Sequence, residues 1–292
     1  LPRTFQETDV TFIRGLVQDL DVDERRIDLR SGSLQFDTLL ITLGGVTSYS
    51  IDDRRHVLDI RTDVWKIRRT IQSPDVHHVV IVGGGPVGVE TSATLSSLTE
   101  AVEVTLITAS DRLLSTFPPR ASTLIERELR RRDVTLRTND RVQEVTDNSV
   151  VLEGNTTEQS NLTIWAGGIK PNPVIDRFSL STTEQGLSVD TYLHCVGSTN
   201  VFASGDIVDY PNKVNDGYSA GLEARTAAKN IRRHIKGRQL KSHTIRWHPR
   251  LVYLGQNTAI LAINGRVHFG RGPALLREIA AKGYSLYWNY LY

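Results

Sequence analysis

The stretch Val79-Val80-Ile81-Val82-Gly83-Gly84-Gly85-Pro86-Val87-Gly88-Val89-Glu90 constrains the fold more than any other part of the chain. Four β-branched residues in a row predict a buried strand, the glycines break it, and residues 87–98 carry helix-compatible spacing. Gly83, Gly85 and Gly88 stand at the G-x-G-x-x-G spacing of a dinucleotide-binding turn. The first glycine permits the tight exit from the strand, the second lets backbone approach a pyrophosphate, and the third lets the helix pack close to the strand. The helix N-terminus then offers unpaired N–H groups and a positive dipole end to the phosphates. Gly83, Gly84, Gly85, Pro86, Val87 and Gly88 are therefore the candidate nucleotide-binding residues. A purely structural glycine turn is the competing reading, and the placement between a predicted strand and a predicted helix favours the nucleotide.

Strands and helices alternate on both sides of this unit. Residues 9–17 and 26–29 read as strands around a turn at 19–24, and residues 36–45 as a buried strand ending on Gly44-Gly45. Residues 60–71 read as a helix with Val64, Ile67 and Ile71 on one stripe, and residues 102–107 as the second strand of the nucleotide unit. An Asp or Glu about 20 residues past the glycines usually holds the ribose hydroxyls. That position is Thr108, with neither an acid nor an Arg in place; Asp111 and Arg112 lie near enough to take either role, which leaves NADH against NADPH open. An amphipathic helix follows at 121–132, then short strands at 134–136, 142–145 and 150–152, and a strand at 161–166 closing on Gly167-Gly168. Residues 200–206 form a short apolar strand that delivers Asp206 just after Gly205, residues 221–237 a helix, and residues 252–263 an alternating strand. Asn264-Gly265 predicts a type I′ hairpin turn into 266–269. The pattern is that of an α/β chain with at least one parallel sheet.

Composition narrows the function classes. The net charge of +2 predicts no nucleic-acid partner. The single cysteine, Cys195, excludes an internal disulfide, a C-x-x-C redox pair and any Cys-only metal site within the chain. His77, His78, His243 and His248 lack metal-ligand spacing, so no metal site is expected. No run of about 20 apolar residues is present to span a membrane. From Lys213 onward there are 14 Lys and Arg against three acids, and the tail gathers Tyr284, Tyr287, Trp288, Tyr290 and Tyr292. A basic surface with interfacial aromatics suits peripheral contact with anionic lipid; docking of those rings into the protein's own core or a dimer partner is the alternative. The chain has no methionine, even at position 1, which leads to the expectation that residues precede Leu1.

Taken in order, four segments resemble the two-dinucleotide flavoproteins of the FAD-dependent pyridine nucleotide-disulfide oxidoreductase superfamily. Phe36-Asp37-x-Leu39-Leu40-Ile41-x-x-Gly44 is similar to the family's returning FAD-domain strand, and Gly83 to Glu90 to its pyridine-nucleotide motif. Thr163 to Gly168 with Pro171-Asn172-Pro173 is similar to its T-x-x-W-A-A-G-x-x-P-N-P crossing segment, and Val201-Phe202-Ala203-x-Gly205-Asp206 to its second FAD motif. Within that superfamily the chain most resembles the type II NADH dehydrogenases, which are NADH:quinone oxidoreductases.

The resemblance implies two Rossmann-like domains, with the NAD(P)H domain inserted in the FAD domain, a C-terminal hairpin and helix region, and an FAD-binding βαβ upstream of Leu1. The domains are expected at residues 1–72 and 179–238 for FAD, 73–178 for NAD(P)H, and 239–292 for an interface or membrane-association region. Asp206 would bond the ribityl chain, Gly44, Gly167, Gly168 and Gly205 would border the cofactors, and Glu90 would be the catalytic acid near flavin and nicotinamide. The implied reaction passes hydride from NADH or NADPH to FAD, then two electrons to a quinone or another small acceptor. The implied location is cytoplasmic, peripheral on the inner face of the cell membrane, with homodimerisation as a further expectation. One departure bears on the acceptor: the family's A-Q-x-A-x-Q quinone motif falls on Gly217 to Ala224, where the glutamines are absent, and Tyr218 and Glu223 would line an altered site. A disulfide or sulfide oxidoreductase and a non-catalytic nucleotide-binding scaffold are the alternative readings.

Overall fold

The computed structural model describes residues 9–98, 102–245 and 248–291, with side chains described through Lys282. The chain forms two compact units: residues 9–46 and 169–245 build one, residues 47–168 and 248–291 the other. Residues 47–168 of the second unit thus interrupt the first in sequence and residues 248–291 follow it, an α/β arrangement with a parallel sheet of Rossmann type.

In the inserted unit five parallel strands lie in the order Val57–Asp59, Leu162–Trp165, His78–Val82, Glu103–Ile107, Val134–Arg137. The β-branched run is the middle strand, and Val79, Val80 and Ile81 are fully buried, as a parallel strand covered on both faces requires. Alternation assigns its side chains to two cores. Val79 and Ile81 join Leu106, Ile164 and the helices, while Val80 and Val82 join Ile107, Trp165 and the meander Val142–Val145, Ser149–Leu152, Thr157–Gln159. The helices on the first face are α1 (Val64–Ile71), α2 (Pro86–Leu98) and α3 (Pro119–Arg131). Ala121, Ile125 and Leu129 of α3 recur every four residues and are fully buried. Ile125 and Leu129 each contribute about 1.5–3 kcal/mol by leaving water. The antiparallel strands Arg250–Tyr253, Ala259–Ile263 and Arg266–Gly270 place Val252, Leu254 and Ile260 in the same core. Arg132, its side chain only 5% exposed, ties them to the helices through Leu254 O, Ser97 Oγ and Glu128.

The other unit pairs Leu39–Ile41 in parallel with Val201–Ala203 and carries a three-stranded antiparallel ribbon, Val17–Asp21, Arg26–Leu29, Gly32–Gln35. Its core gathers Leu20, Ile41, Leu187, Cys195, Val201, Ala203 and Ala227, the last from α4 (Gly217–Ile235).

Several sequence expectations shift. The first ribbon strand lies at Val17–Asp21, within the expected turn, because Arg25 at φ +51 moves the reversal toward residues 22–25. Of the expected strand at 36–45, Leu39–Ile41 is one paired segment and Gly45 opens a separate paired strand, Gly45–Thr47. The helix expected from 60 begins at Val64, since Val57–Asp59 joins the sheet and the Asp59 and Asp63 carboxylates accept from the Arg61 and Asp59 amides. Helix α4 starts four residues early because Asp216 Oδ1 accepts from Ser219 N at 2.7 Å. Residues 252–263 are two strands: Gly255, Gln256 and Asn257 all have positive φ and reverse the chain. Asn264 and Gly265, at φ +49 and +75, make the expected type I′ turn. The tail as far as Leu291 runs in α5 (Arg271–Leu291), and the expected side-chain contacts from Tyr284 onward lie outside the described residues.

Candidate functional site

The strand order reverses at His78–Val82: the chain leaves toward Glu103–Ile107 on one side and later returns as Leu162–Trp165 on the other. In an open α/β sheet the crevice at the carboxyl ends of such strands is where ligands bind. A cavity of about 380 Å³ lies there, running from Thr108–Ser110 and Asp140–Val142 past Gly83, Gly84 and Gly85 to Ser48–Ser50 and Trp165–Gly168.

Close approach explains the glycines. Gly83 has φ +124, and a Cβ there would sit far inside contact distance of Ala166 O; a Cβ on Gly88 would do the same against Gly83 O. Gly84 is buried against Thr108, whose Oγ1 would lie 2.8 Å from an added Cβ. Gly85 meets nothing within 4 Å, so its backbone borders open space, and its carbonyl accepts the first bond of α2 from Val89 N. Pro86 and Val87 are exposed on the first turn of α2 and are not part of the cavity wall. At the other end Gly167 packs against the Trp165 indole and Gly168 turns at φ +101. Trp165 Nε1 donates to Ser48 O at 2.8 Å, and the Tyr49 ring lies 5.4 Å from the indole. Burial and the hydrogen bond that Tyr49 donates to Asp59 push the phenol up to about 12.

Glu90 lies one turn further along α2 and outside the cavity wall. Its Oε1 accepts from Tyr253 N at 2.8 Å. Burial raises its carboxyl above the ordinary range, against the Tyr253 amide and the Arg277 guanidinium, which lower it.

In the other unit a second cavity of about 380 Å³ opens where Leu39–Ile41 and Val201–Ala203 end, beside the N-terminus of α4. Gly44, Gly205 and Asp206 border it, and Gly217, Ala220 and Ala224 keep its helical wall low. The Asp206 carboxylate is half-buried and has no hydrogen-bond partner among the described residues. Gly205, at φ +86, turns its N–H inward to Glu223 Oε2 at 2.7 Å. Glu223 does not line this cavity, contrary to the acceptor-site expectation; it is fully buried and also accepts from Tyr210 Oη and Lys213 Nζ at 2.7 Å each. Tyr218 is half-exposed on the first turn of α4. Among the described residues no group of three or more His, Cys, Asp or Glu is placed to hold a metal.

Sequence reasoning missed the Glu223 network and the contribution of Asp140 and Arg141 to the cavity beside the glycine turn. Neither has a local signal: each meets its partners only through the fold. Arg112, read as a candidate for the ribose end, is committed to Ser115 O, Phe117 O and Ser122 Oγ.

A sheet with this switch point, a glycine cradle and a second glycine-Asp turn defines a dinucleotide-binding α/β protein. The family model for pyridine nucleotide-disulphide oxidoreductases matches residues 4–228, and the chain belongs to that family. It is 27% identical over 267 residues to the external alternative NAD(P)H-ubiquinone oxidoreductase B1, mitochondrial, of Solanum tuberosum, covering 74% of this chain and 46% of that one. The demethylphylloquinone reductase NdbB of Synechocystis sp. is 27% identical over 301 residues, covering 94% and 74%. The chain therefore spans about half the length of the potato relative. The solved structure of NDH2 from Plasmodium falciparum in complex with NADH shares the fold, with a TM-score of 0.78 at 17% identity over 92% of this chain and 79% of that one.

Proposed function

We propose that the protein is an FAD-dependent NAD(P)H dehydrogenase that passes hydride to the flavin and then two electrons to a quinone. The observation that carries this reading is the glycine cradle, closed to a side chain at Gly83, Gly84 and Gly88 and open at Gly85, where backbone borders the cavity between two parallel strand ends. Residues of that cradle would hold the pyrophosphate of NADH or NADPH, with the N-terminus of α2 facing its charge. For FAD, the fit rests on Asp206: an unpartnered carboxylate on a cavity wall is an acceptor for a ligand hydroxyl. Gly44 and Gly205 leave the backbone beside it uncovered. When bound, FAD supplies the two-electron redox chemistry, and the protein supplies binding, orientation and exclusion of water. Glu90 Oε1 is held by the Tyr253 amide and its burial favours the protonated acid, which leaves Oε2 to hold a proton during turnover.

The acceptor reading rests on the relatives, two of which are named for ubiquinone and phylloquinone-type substrates. This chain's single cysteine is buried with its thiol pushed up to about 12, which disfavours thiol chemistry at that residue. Among the described residues no helix is long and apolar enough to cross a membrane. Peripheral contact is the reading for α5, where Leu275, Leu276 and Ile279 are all more than half exposed along one side. The same apolar stripe would serve a homodimer.

The test is anaerobic. The purified protein should show a flavin band near 450 nm (roughly, a general property of flavins) that bleaches with NADH or NADPH and returns with a soluble quinone. A yellow protein that neither nucleotide bleaches would remove the dehydrogenase reading.

A further inference from the structure

The ribose end of the nucleotide cavity has Thr108 where an acid would grip two ribose hydroxyls, and the carboxylate that lines it, Asp140, is paired with Arg137. Thr108 ends the strand Glu103–Ile107, buried against Gly84, with its Oγ1 accepting from Ser110 N at 3.3 Å. The turn that follows Val134–Arg137 is laced to this loop: Asn139 N donates to Ser110 O at 2.9 Å and Asp140 N to Thr108 O at 3.1 Å. That lacing brings Arg141 to the same end of the cavity.

Charge at this end is uneven in its availability. The Asp140 carboxylate accepts from Arg137 Nε at 2.8 Å, and Arg137 is itself shared with Glu158 at 2.7 Å. Arg112 is occupied by carbonyls and Ser122, and Asp111 is exposed outside the cavity wall. Arg141 has only a 4.0 Å approach to Glu153, with both side chains more than half exposed, a pairing worth little in water. The guanidinium available at the ribose end is thus Arg141, which lines the same cavity as Thr108 and Ser110.

From this arrangement we infer that the site prefers NADPH, with Arg141 binding the ribose 2′-phosphate and Thr108 and Ser110 donating hydroxyl hydrogen bonds to it. This rests on the nucleotide reading of the glycine cradle given above. A planar guanidinium binds phosphate through two parallel N–H bonds. An acid at position 108 would repel the phosphate and favour the unphosphorylated ribose.

Calorimetric titration with ADP-ribose and with 2′-phospho-ADP-ribose tests the inference without flavin chemistry, because neither fragment carries the nicotinamide. The phosphorylated fragment should bind about ten- to hundredfold more tightly, the span expected for charge-assisted hydrogen bonds. The exposed position of Arg141 makes Arg141→Gln a safe variant for folding, and it should bring the two affinities to within about threefold of each other. Arg141→Glu should reverse their order. Equal affinity in the unaltered protein, or tighter ADP-ribose, overturns the NADPH assignment and leaves the cradle reading standing. A preference that survives Arg141→Gln overturns the role of Arg141. Failure of both fragments to bind overturns the cradle reading itself.

Discussion

Replacing Glu223 by Ala should destabilise the unit that contains it by about 3–5 kcal/mol, the cost of leaving one partner of a buried ion pair uncompensated. The structure sets the magnitude. Glu223 is 0% exposed and the Lys213 side chain 7%, so the pair is largely withdrawn from water. Two neutral donors, Gly205 N–H and Tyr210 O–H, lose their acceptor as well. Changing both charged residues, Glu223→Leu with Lys213→Met, removes the stranded charge and should regain at least about 2 kcal/mol, since paired apolar replacements of buried ions are often near neutral. The residual loss is that of the Gly205 amide and the Tyr210 hydroxyl, both left without their acceptor. Native-state hydrogen exchange over residues 201–223, read by mass spectrometry, measures the opening of this region. The single variant should exchange about a hundredfold faster or more, and the double variant should recover at least a factor of about ten. A single variant within about 1 kcal/mol of the unaltered protein, or a double variant as labile as the single one, would refute the argument that the buried pair supports the Gly205–Asp206 turn.

Four further outcomes follow. Gly88→Ala drives a Cβ into Gly83 O and should cost about 1–3 kcal/mol, along with ADP-ribose binding. Gly85→Ala, with nothing within 4 Å, should leave the thermal midpoint nearly unchanged and weaken only the ligand; equal loss of stability in both variants would contradict the cradle. Glu90 is protonated more readily in the folded than in the unfolded chain, so the stability it contributes is full below its ordinary pKa of 4.5 and is lost as pH rises through the raised folded value. Urea midpoints of Glu90→Gln should therefore fall less than those of the unaltered protein as pH climbs from 4.5 toward neutrality, and parallel curves would remove the effect. Cys195, buried with its thiol pushed up to about 12, should resist iodoacetamide at pH 8 until the protein is unfolded; rapid native labelling by mass spectrometry would show that the core around it opens.

Local sequence determined the nucleotide turn and the order of elements around it, because each rests on interactions within a few residues. Four β-branched residues, a glycine spacing and a helical period act over 79–98, and the structure places His78–Val82, the turn and α2 there. The same holds for α3 and for the Asn264-Gly265 hairpin. Where the local signal was weak, tertiary pairing decided. Val57–Asp59 is too short to announce itself and is a strand because Leu162–Trp165 lies beside it. The apolar alternation over 252–263 concealed a reversal at three residues of positive φ.

The partners of the charged groups near the two cavities were likewise settled by the fold. Glu90 meets Tyr253 across 163 residues of chain, and Glu223 meets Gly205 across 18. Arg141 reaches the ribose end through backbone bonds between 108–110 and 139–140. Sequence names which side chains carry charge. Only the fold, by burying some and pairing others, decides which carboxylate is locked under a glycine, which remains on a cavity wall, and which guanidinium is left to meet a phosphate.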